Sequence, residues 1–224
     1  MEKEMTIKIT TDNKILVQET DGTLATKSYK EIEPDAFFDC IKNSLQRSMF
    51  SSGLLPQGCF HFSADDVGTR YVAMEFPGFT ADISYEKTLY EQFPLPKMVF
   101  AFSVNRDGKI GWDVRIGITE NKKITLDSKM FVFPFSNVSD NFRVCLGGNP
   151  LPQVKCLTQL CGIPYYIISM PFNDDHYSSS KNKLELESRA LYEHLKDKDT
   201  DYYYSDVLIE SGKTINDFIN IGIS

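Results

Sequence analysis

The stretch from Leu54 to Phe135 constrains this chain most, because it reads as one strand after another with no helical pattern between them. Cys59 to Ser63 is a short strand, Arg70 to Phe76 is apolar and β-branched until Pro77-Gly78 breaks it, and Phe79 to Tyr85 alternates. Lys97 to Asn105 is a strong strand, and Asp107-Gly108 is a hairpin-turn pair, so Lys109 to Thr119 pairs back on it. Ile124 to Phe135 supplies the last strand or pair of short strands. Successive strands with short turns form an antiparallel meander, since parallel strands need long crossovers.

Other elements flank this run. Thr6 to Thr10, Lys14 to Thr20 and Thr23 to Tyr29 alternate around Asp12-Asn13 and Asp21-Gly22, which predicts a small N-terminal β-hairpin unit. Pro34 suits a first helical position, and Phe38, Ile41, Leu45 and Met49 then make one apolar stripe, as on a core-packing amphipathic helix. After Pro150, Leu151 to Leu160 has helical character, with Pro152 tolerated only in the first turn. Ile163 to Met170 is ambiguous, and Asn173 to Asn182 is a polar loop. Leu184 to Lys196 is a helix with Leu184, Leu191 and Leu195 on one face. The Tyr202-Tyr203-Tyr204 run and Ile215 to Ile223 are expected on the outside of the core. The predicted fold class is α+β, in a single domain spanning residues 1–224.

A net charge of −7, with dispersed lysines and arginines, leaves no basic stripe for phosphates and disfavours nucleic acid as a partner. No apolar run approaches the roughly 20 residues of a membrane helix, and Met1-Glu2-Lys3-Glu4 lacks the apolar core of a signal peptide. The five cysteines are an odd number without an export signal, so they read as reduced thiols of a cytoplasmic protein.

Common catalytic motifs are absent: no Walker-type loop, no Gly-x-Ser-x-Gly, no His-Glu-x-x-His. Cys156 and Cys161 have the spacing of half a zinc site but lack a second ligand pair, and read as two buried cysteines near a helix end. Thus no metal or organic cofactor is expected. Cys145 stands apart because Val144 and Leu146 flank it and Gly147-Gly148-Asn149-Pro150 follows. Such a turn can hold a thiol open to an acyl donor and aim backbone N–H groups at a developing oxyanion. The same cysteine can equally be a small apolar residue ending a buried strand. Asn137, eight residues earlier, can donate its amide to that oxyanion or brace the loop.

The run from Asn137 to Val144-Cys145-Leu146 resembles the active-site segment of the ubiquitin-conjugating (UBC) superfamily, where a His-Pro-Asn motif precedes the catalytic cysteine by the same interval. More narrowly the chain resembles the divergent prokaryotic family D, or PRTRC system protein B, over about Lys97 to His176, and more weakly back to Pro34. Phe135 and Ser136 stand where His-Pro is usual. That branch is expected to carry its histidine after the cysteine instead, and His176 in Asn173-Asp174-Asp175-His176-Tyr177 is the candidate. Its alternative reading is a solvated loop histidine. Asp174 and Asp175 are candidates to steer an amine or orient His176, or simply a solvated acidic pair.

The resemblance implies a UBC-like antiparallel meander flanked by helices. Residues 33–200 would be the core, 1–32 an N-terminal hairpin extension and 201–224 a C-terminal extension. It implies that Cys145 accepts a ubiquitin-like modifier as a thioester and passes it to an acceptor, with Asn137 and His176 completing the catalytic set. It implies a ThiF-like adenylating enzyme and the modifier as partners, in a plasmid or mobile-element cassette that also holds a JAB-type metallopeptidase. Two alternatives stay open: a catalytically inactive adaptor binding the adenylating enzyme or the modifier, and a hydrolytic thiol enzyme with a Cys145–His176 dyad.

Overall fold

A computed structural model describes residues 4–12, 14–20, 29–45 and 51–220. The chain divides into two compact units, Met1–Ser52 and Gly53–Ser224.

In the first unit, strands β1 (Glu4–Ile9) and β2 (Ile15–Thr20) form an antiparallel hairpin with Ile7 opposite Val17. Strand β3 (Lys30–Ile32) adds antiparallel to β2, with Ile32 opposite Ile15. Ile15 is thereby buried, while Ile7 and Ile9 remain exposed. The third strand predicted over Thr23 to Tyr29 falls almost wholly outside the described residues, as do Asp21-Gly22 and Met49. Helix α1 (Pro34–Leu45) starts at the predicted proline, whose fixed φ suits a first turn. Phe38 and Ile41 of its apolar stripe are not covered by the strands of its own unit, at 60% and 39% exposed.

In the second unit, β4 (Cys59–Ala64) and β5 (Arg70–Phe76) pair antiparallel, and a separate hairpin follows from β6 (Phe79–Tyr85) and β7 (Thr88–Leu95). Strand β8 (Met98–Val104) returns to pair with β5, and β9 (Arg115–Thr119) pairs with β8. Strands β10 (Lys129–Phe131) and β11 (Glu210–Thr214) complete a six-stranded antiparallel sheet ordered β11-β10-β9-β8-β5-β4. The strand predicted over Lys109 to Thr119 is only partly regular. After the Gly108 turn it pairs at Ile110, leaves the ladder, and rejoins at Arg115.

Alternation along β8 builds two cores, because successive side chains of a strand point to opposite faces. Met98, Phe100 and Phe102 join the main core with Phe93, Phe135, Leu191, Tyr192 and Tyr203. Val99 joins a smaller one with Met130, Phe142, Ile215 and Phe218, the last two from α4 (Ile215–Asn220). Tyr192, on α3 (Ser188–Leu195), is the hub of the main core: its ring stacks on Phe135 at 5.2 Å and on Tyr85 at 5.0 Å between centroids. Aromatic pairs of this kind contribute about 0.5–1.5 kcal/mol beyond the area they bury.

The structure corrects several expectations. Tyr203 is fully buried and donates its hydroxyl to the Pro94 carbonyl, and Ile215 and Phe218 are fully buried as well, so the C-terminal segments lie inside the cores. Leu151 to Leu160 forms only a 3-10 turn over Leu157–Gly162, because nothing caps it and Pro152 precedes it. The ambiguous run resolves to helix α2 (Ile163–Ile168), with Pro164 in its first turn. Helix α3 starts four residues later than Leu184, and Leu191 and Leu195 hold its buried face. No helix among the described residues is long and apolar enough to cross a membrane.

Candidate functional site

The eight-residue interval from Asn137 to Cys145 is a hairpin. Val138 and Val144 face each other in an antiparallel bridge, flanked by Ser139 N–H to the Arg143 carbonyl at 2.9 Å and Cys145 N–H to the Asn137 carbonyl at 2.7 Å. The turn closes with Phe142 N–H on the Ser139 carbonyl at 2.8 Å. Asn137 and Cys145 are therefore brought together by the backbone ladder, with neither depending on a side chain for its place. The return arm is sewn to the start of β9 by Val144 N–H to the Val114 carbonyl and Ile116 N–H to the Phe142 carbonyl, both at 2.9 Å. Behind the arm, Phe142 plugs the smaller core against Phe218.

A second loop, residues 171–177, is tied to the same point. Asn137 N–H donates to the Asp175 carbonyl at 2.7 Å, and the Asn137 side-chain amide donates to the Pro171 carbonyl at 3.2 Å. Asn137 is thus the joint between the cysteine and the loop that carries His176. The loop is anchored at its other side by a bridge between Phe172 and Tyr85 and by the Tyr85 hydroxyl on Asp174 at 2.7 Å. That hydrogen bond is the main reason the Asp174 carboxyl titrates below its ordinary range. Lys181, almost fully buried, donates its ammonium to the Val138 carbonyl at 2.7 Å and clamps the hairpin from beneath.

Cys145 and His176 line one open cleft of about 540 Å³, together with Trp112, Asn141, Arg143 and Gly147. Cys145 is half-buried, whereas His176 and Trp112 are exposed. Asn137 lies on the inner side of Cys145, where the two line a small crevice with Ile167 and Phe172. Its amide Nδ2 carries two N–H groups and spends one on Pro171, while its Oδ1 is buried without a partner among the described residues. Asn137, Phe142 and His176 all have positive φ, at 61°, 63° and 58°. Each costs on the order of 1–2 kcal/mol, Asn and His least, and such residues gather where the surrounding structure fixes a functional geometry.

The other features of the segment behave differently. Phe135, in the position of the expected His, is a fully buried core ring, and Ser136 beside it is fully buried. Gly147 needs its glycine for a φ of 59°, but a Cβ on Gly148 would meet nothing within 4 Å, so only one of the pair is required by conformation. Asp175 contributes its backbone to the site, and its carboxylate is held by Asn173 at 3.0 Å. Cys156 is exposed and Cys161 half-buried, which overturns their reading as two buried cysteines. Among the described residues no group of three or more His, Cys, Asp or Glu is placed to hold a metal ion.

The statistical model of prokaryotic E2 family D matches residues 68–211. That span is more than half of the chain and includes Asn137, Cys145 and His176. The chain belongs to prokaryotic E2 family D. No curated protein and no solved structure matches it. As a family D protein it is a UBC-like protein in sequence, and its fold is α+β with an antiparallel sheet.

Two residues that shape the site in this family D protein escaped the sequence reading. Trp112 is the only tryptophan of the chain, yet stands 73% exposed where the strand leaves the ladder. A lone tryptophan in the residues just after a Gly turn was the available signal. Lys181 gave none, since a lysine in a polar loop normally lies in water.

Proposed function

We propose that this protein has a UBC-like fold and carries a ubiquitin-like modifier as a thioester on Cys145. The observation that carries the reading is the hairpin that sets Cys145 against Asn137 at the edge of a cleft shared with His176. A half-buried thiol on a fixed backbone, facing an open cleft, suits attack on a large acyl donor.

The Cys145 thiolate attacks the carbonyl carbon of the modifier's C-terminal thioester on an adenylating enzyme. A new C–S bond forms, the oxyanion collapses, and the enzyme's cysteine leaves as a thiolate. An amine or thiol acceptor then attacks the Cys145 thioester, the C–Sγ bond breaks, and His176 takes the proton that an amine releases. The second N–H of Asn137 Nδ2 faces the oxyanion in both steps, a donor of a kind whose removal costs roughly 10²–10³-fold in rate. Thioester exchange is nearly isoenergetic, so neither metal nor organic cofactor takes part. In this reading the UBC-like core extends past residue 200, because β11 completes the sheet and Tyr203 and Phe218 are buried in the cores, and the protein works in the cytoplasm.

The test incubates the protein with ATP, a ubiquitin-like modifier and a ThiF-like adenylating enzyme. A thiol-labile adduct lost in Cys145→Ser and kept in Cys156→Ser supports the carrier. Binding of the adenylating enzyme with no adduct establishes the second reading, a non-catalytic adaptor, which the burial of Phe135 in place of the usual His favours. Hydrolysis of a model thioester without an acceptor, lost in His176→Ala, points instead to a thiol hydrolase.

A further inference from the structure

A large cavity of the second unit has no part in the Cys145 site. Its volume is about 960 Å³, and it lies between the end of β5, the start of β6, the turn at 121–123 and α2. That is the size of a ligand pocket, and its lining is mainly apolar with a few convergent polar groups, which is the usual make-up of one.

One wall is a triangle of rings. Phe76 meets Phe79 at 5.0 Å and Tyr165 at 4.9 Å, and Phe79 meets Tyr165 at 5.6 Å, all edge-to-face. Tyr165 remains 55% exposed, so the triangle is open to a further ring. Another part of the lining is cationic, from Lys97, Lys122 and Lys123. Lys97, only 9% exposed, ion-pairs with Glu75 at 2.8 Å and donates to the Lys122 carbonyl at 2.6 Å, which uses two of its three N–H groups. The Lys122 ammonium lies 3.5 Å from Glu120, and among the described residues no carboxylate pairs with Lys123. Glu75 neutralises Lys97, so the excess positive charge comes from Lys123, in a chain whose net charge is −7.

We propose that this cavity binds an amphiphilic anion: an aromatic body against Phe76, Phe79 and Tyr165, with a carboxylate toward Lys97 and Lys123. The carboxylate accepts the third N–H of Lys97 and is paired with Lys123, while the ring extends the edge-to-face cluster. Two sources share this chemistry, a free aryl carboxylate and the C-terminal aromatic residue of a peptide. No residue lining this cavity lines the Cys145 cleft, so the inference stands apart from the thioester reading.

The experiment titrates the full chain with 2-naphthoate, N-acetylphenylalanine and the neutral N-acetylphenylalanine amide, followed by calorimetry and by amide NMR shifts. Both anions are expected to bind one to one, with shifts centred on Gly58, Asn121 and Tyr165 and none at Cys145 or His176. The neutral amide should bind at least tenfold more weakly than its acid. The tighter of the two anions identifies the source. Tyr165→Ala should weaken binding at least tenfold, and the double variant K122E/K123E, wholly on the surface, should do the same. Cys145→Ser should leave the binding of both anions unchanged. Absence of binding at millimolar ligand, shifts centred on the Cys145 cleft, or equal binding of acid and amide would each overturn the proposal.

Discussion

The carbonyl oxygen of Asn137 accepts the backbone N–H of Cys145 at 2.7 Å, and the N–H of Asn137 donates to the Asp175 carbonyl at the same distance. One residue therefore fixes both the cysteine and the loop that brings His176 to the cleft. Its backbone and its side chain do separable work. Asn137→Gly removes the side-chain tie to Pro171, a loss of about 0.5–1.5 kcal/mol, and relieves the left-handed cost that Asn137 carries, so its net change in stability is small. Asn137→Ala adds the left-handed penalty, about 1–2 kcal/mol more. Urea denaturation should order the two accordingly. Under the proposed carrier function, both variants should form the Cys145 adduct on the order of 10²-fold more slowly. A wild-type rate in Asn137→Gly would confine the residue to bracing.

Phe135 replaces the histidine of the usual motif with a ring stacked on Tyr192 at 5.2 Å. Under the proposed carrier function, Phe135→His should not raise the rate of adduct formation. It should bury an imidazole among aromatic rings without a hydrogen-bond partner and cost about 1–3 kcal/mol. Phe135→Ala should cost about 3–5 kcal/mol, as large-to-small changes in a packed core do. Thermal and urea unfolding measure both, and adduct formation in the histidine variant at or below the wild-type rate completes the test.

Gly147 and Gly148 look alike in the sequence and differ in the fold. Gly147 holds a φ of 59°, so Gly147→Ala should destabilise by about 1–2 kcal/mol through the backbone alone. Gly148 has neither a positive φ nor a neighbour within 4 Å, so Gly148→Ala should be neutral within about 0.5 kcal/mol. Unfolding midpoints that fall equally in both would contradict this assignment.

His61 on β4 has its Nε2 buried with no partner among the described residues, and burial pulls its pKa below the ordinary 6.5. The unfolded chain therefore binds this proton before the folded one does. Stability from this group is present above 6.5 and is lost as pH falls from 6.5 through the lowered folded value. His61→Gln should flatten that part of the stability curve. Urea midpoints measured across this window, in the two proteins side by side, give the comparison.

The sequence by itself determined several strands, since alternation and turn pairs are local signals, but it did not mark β7 (Thr88–Leu95) or β11 (Glu210–Thr214). Arg70–Phe76 and Phe79–Tyr85 have the bounds read from pattern alone, and the α+β class follows from them. It also determined the interval from Asn137 to Cys145, which is local enough to be one hairpin, and membership of prokaryotic E2 family D. Tertiary structure alone decided where Tyr203 and Phe218 lie, because burial depends on what the rest of the chain leaves uncovered. The same holds for Lys181 beneath the hairpin and for Trp112 beside Cys145, neither of which has a periodic signature. His176 is held at the cleft by long-range ties such as Asn137 N–H to the Asp175 carbonyl and the Tyr85 hydroxyl to Asp174, contacts across 38 and 89 residues that no local pattern encodes. Local backbone preference set the pieces, and long-range packing and hydrogen bonding chose which of them stand beside the thiol.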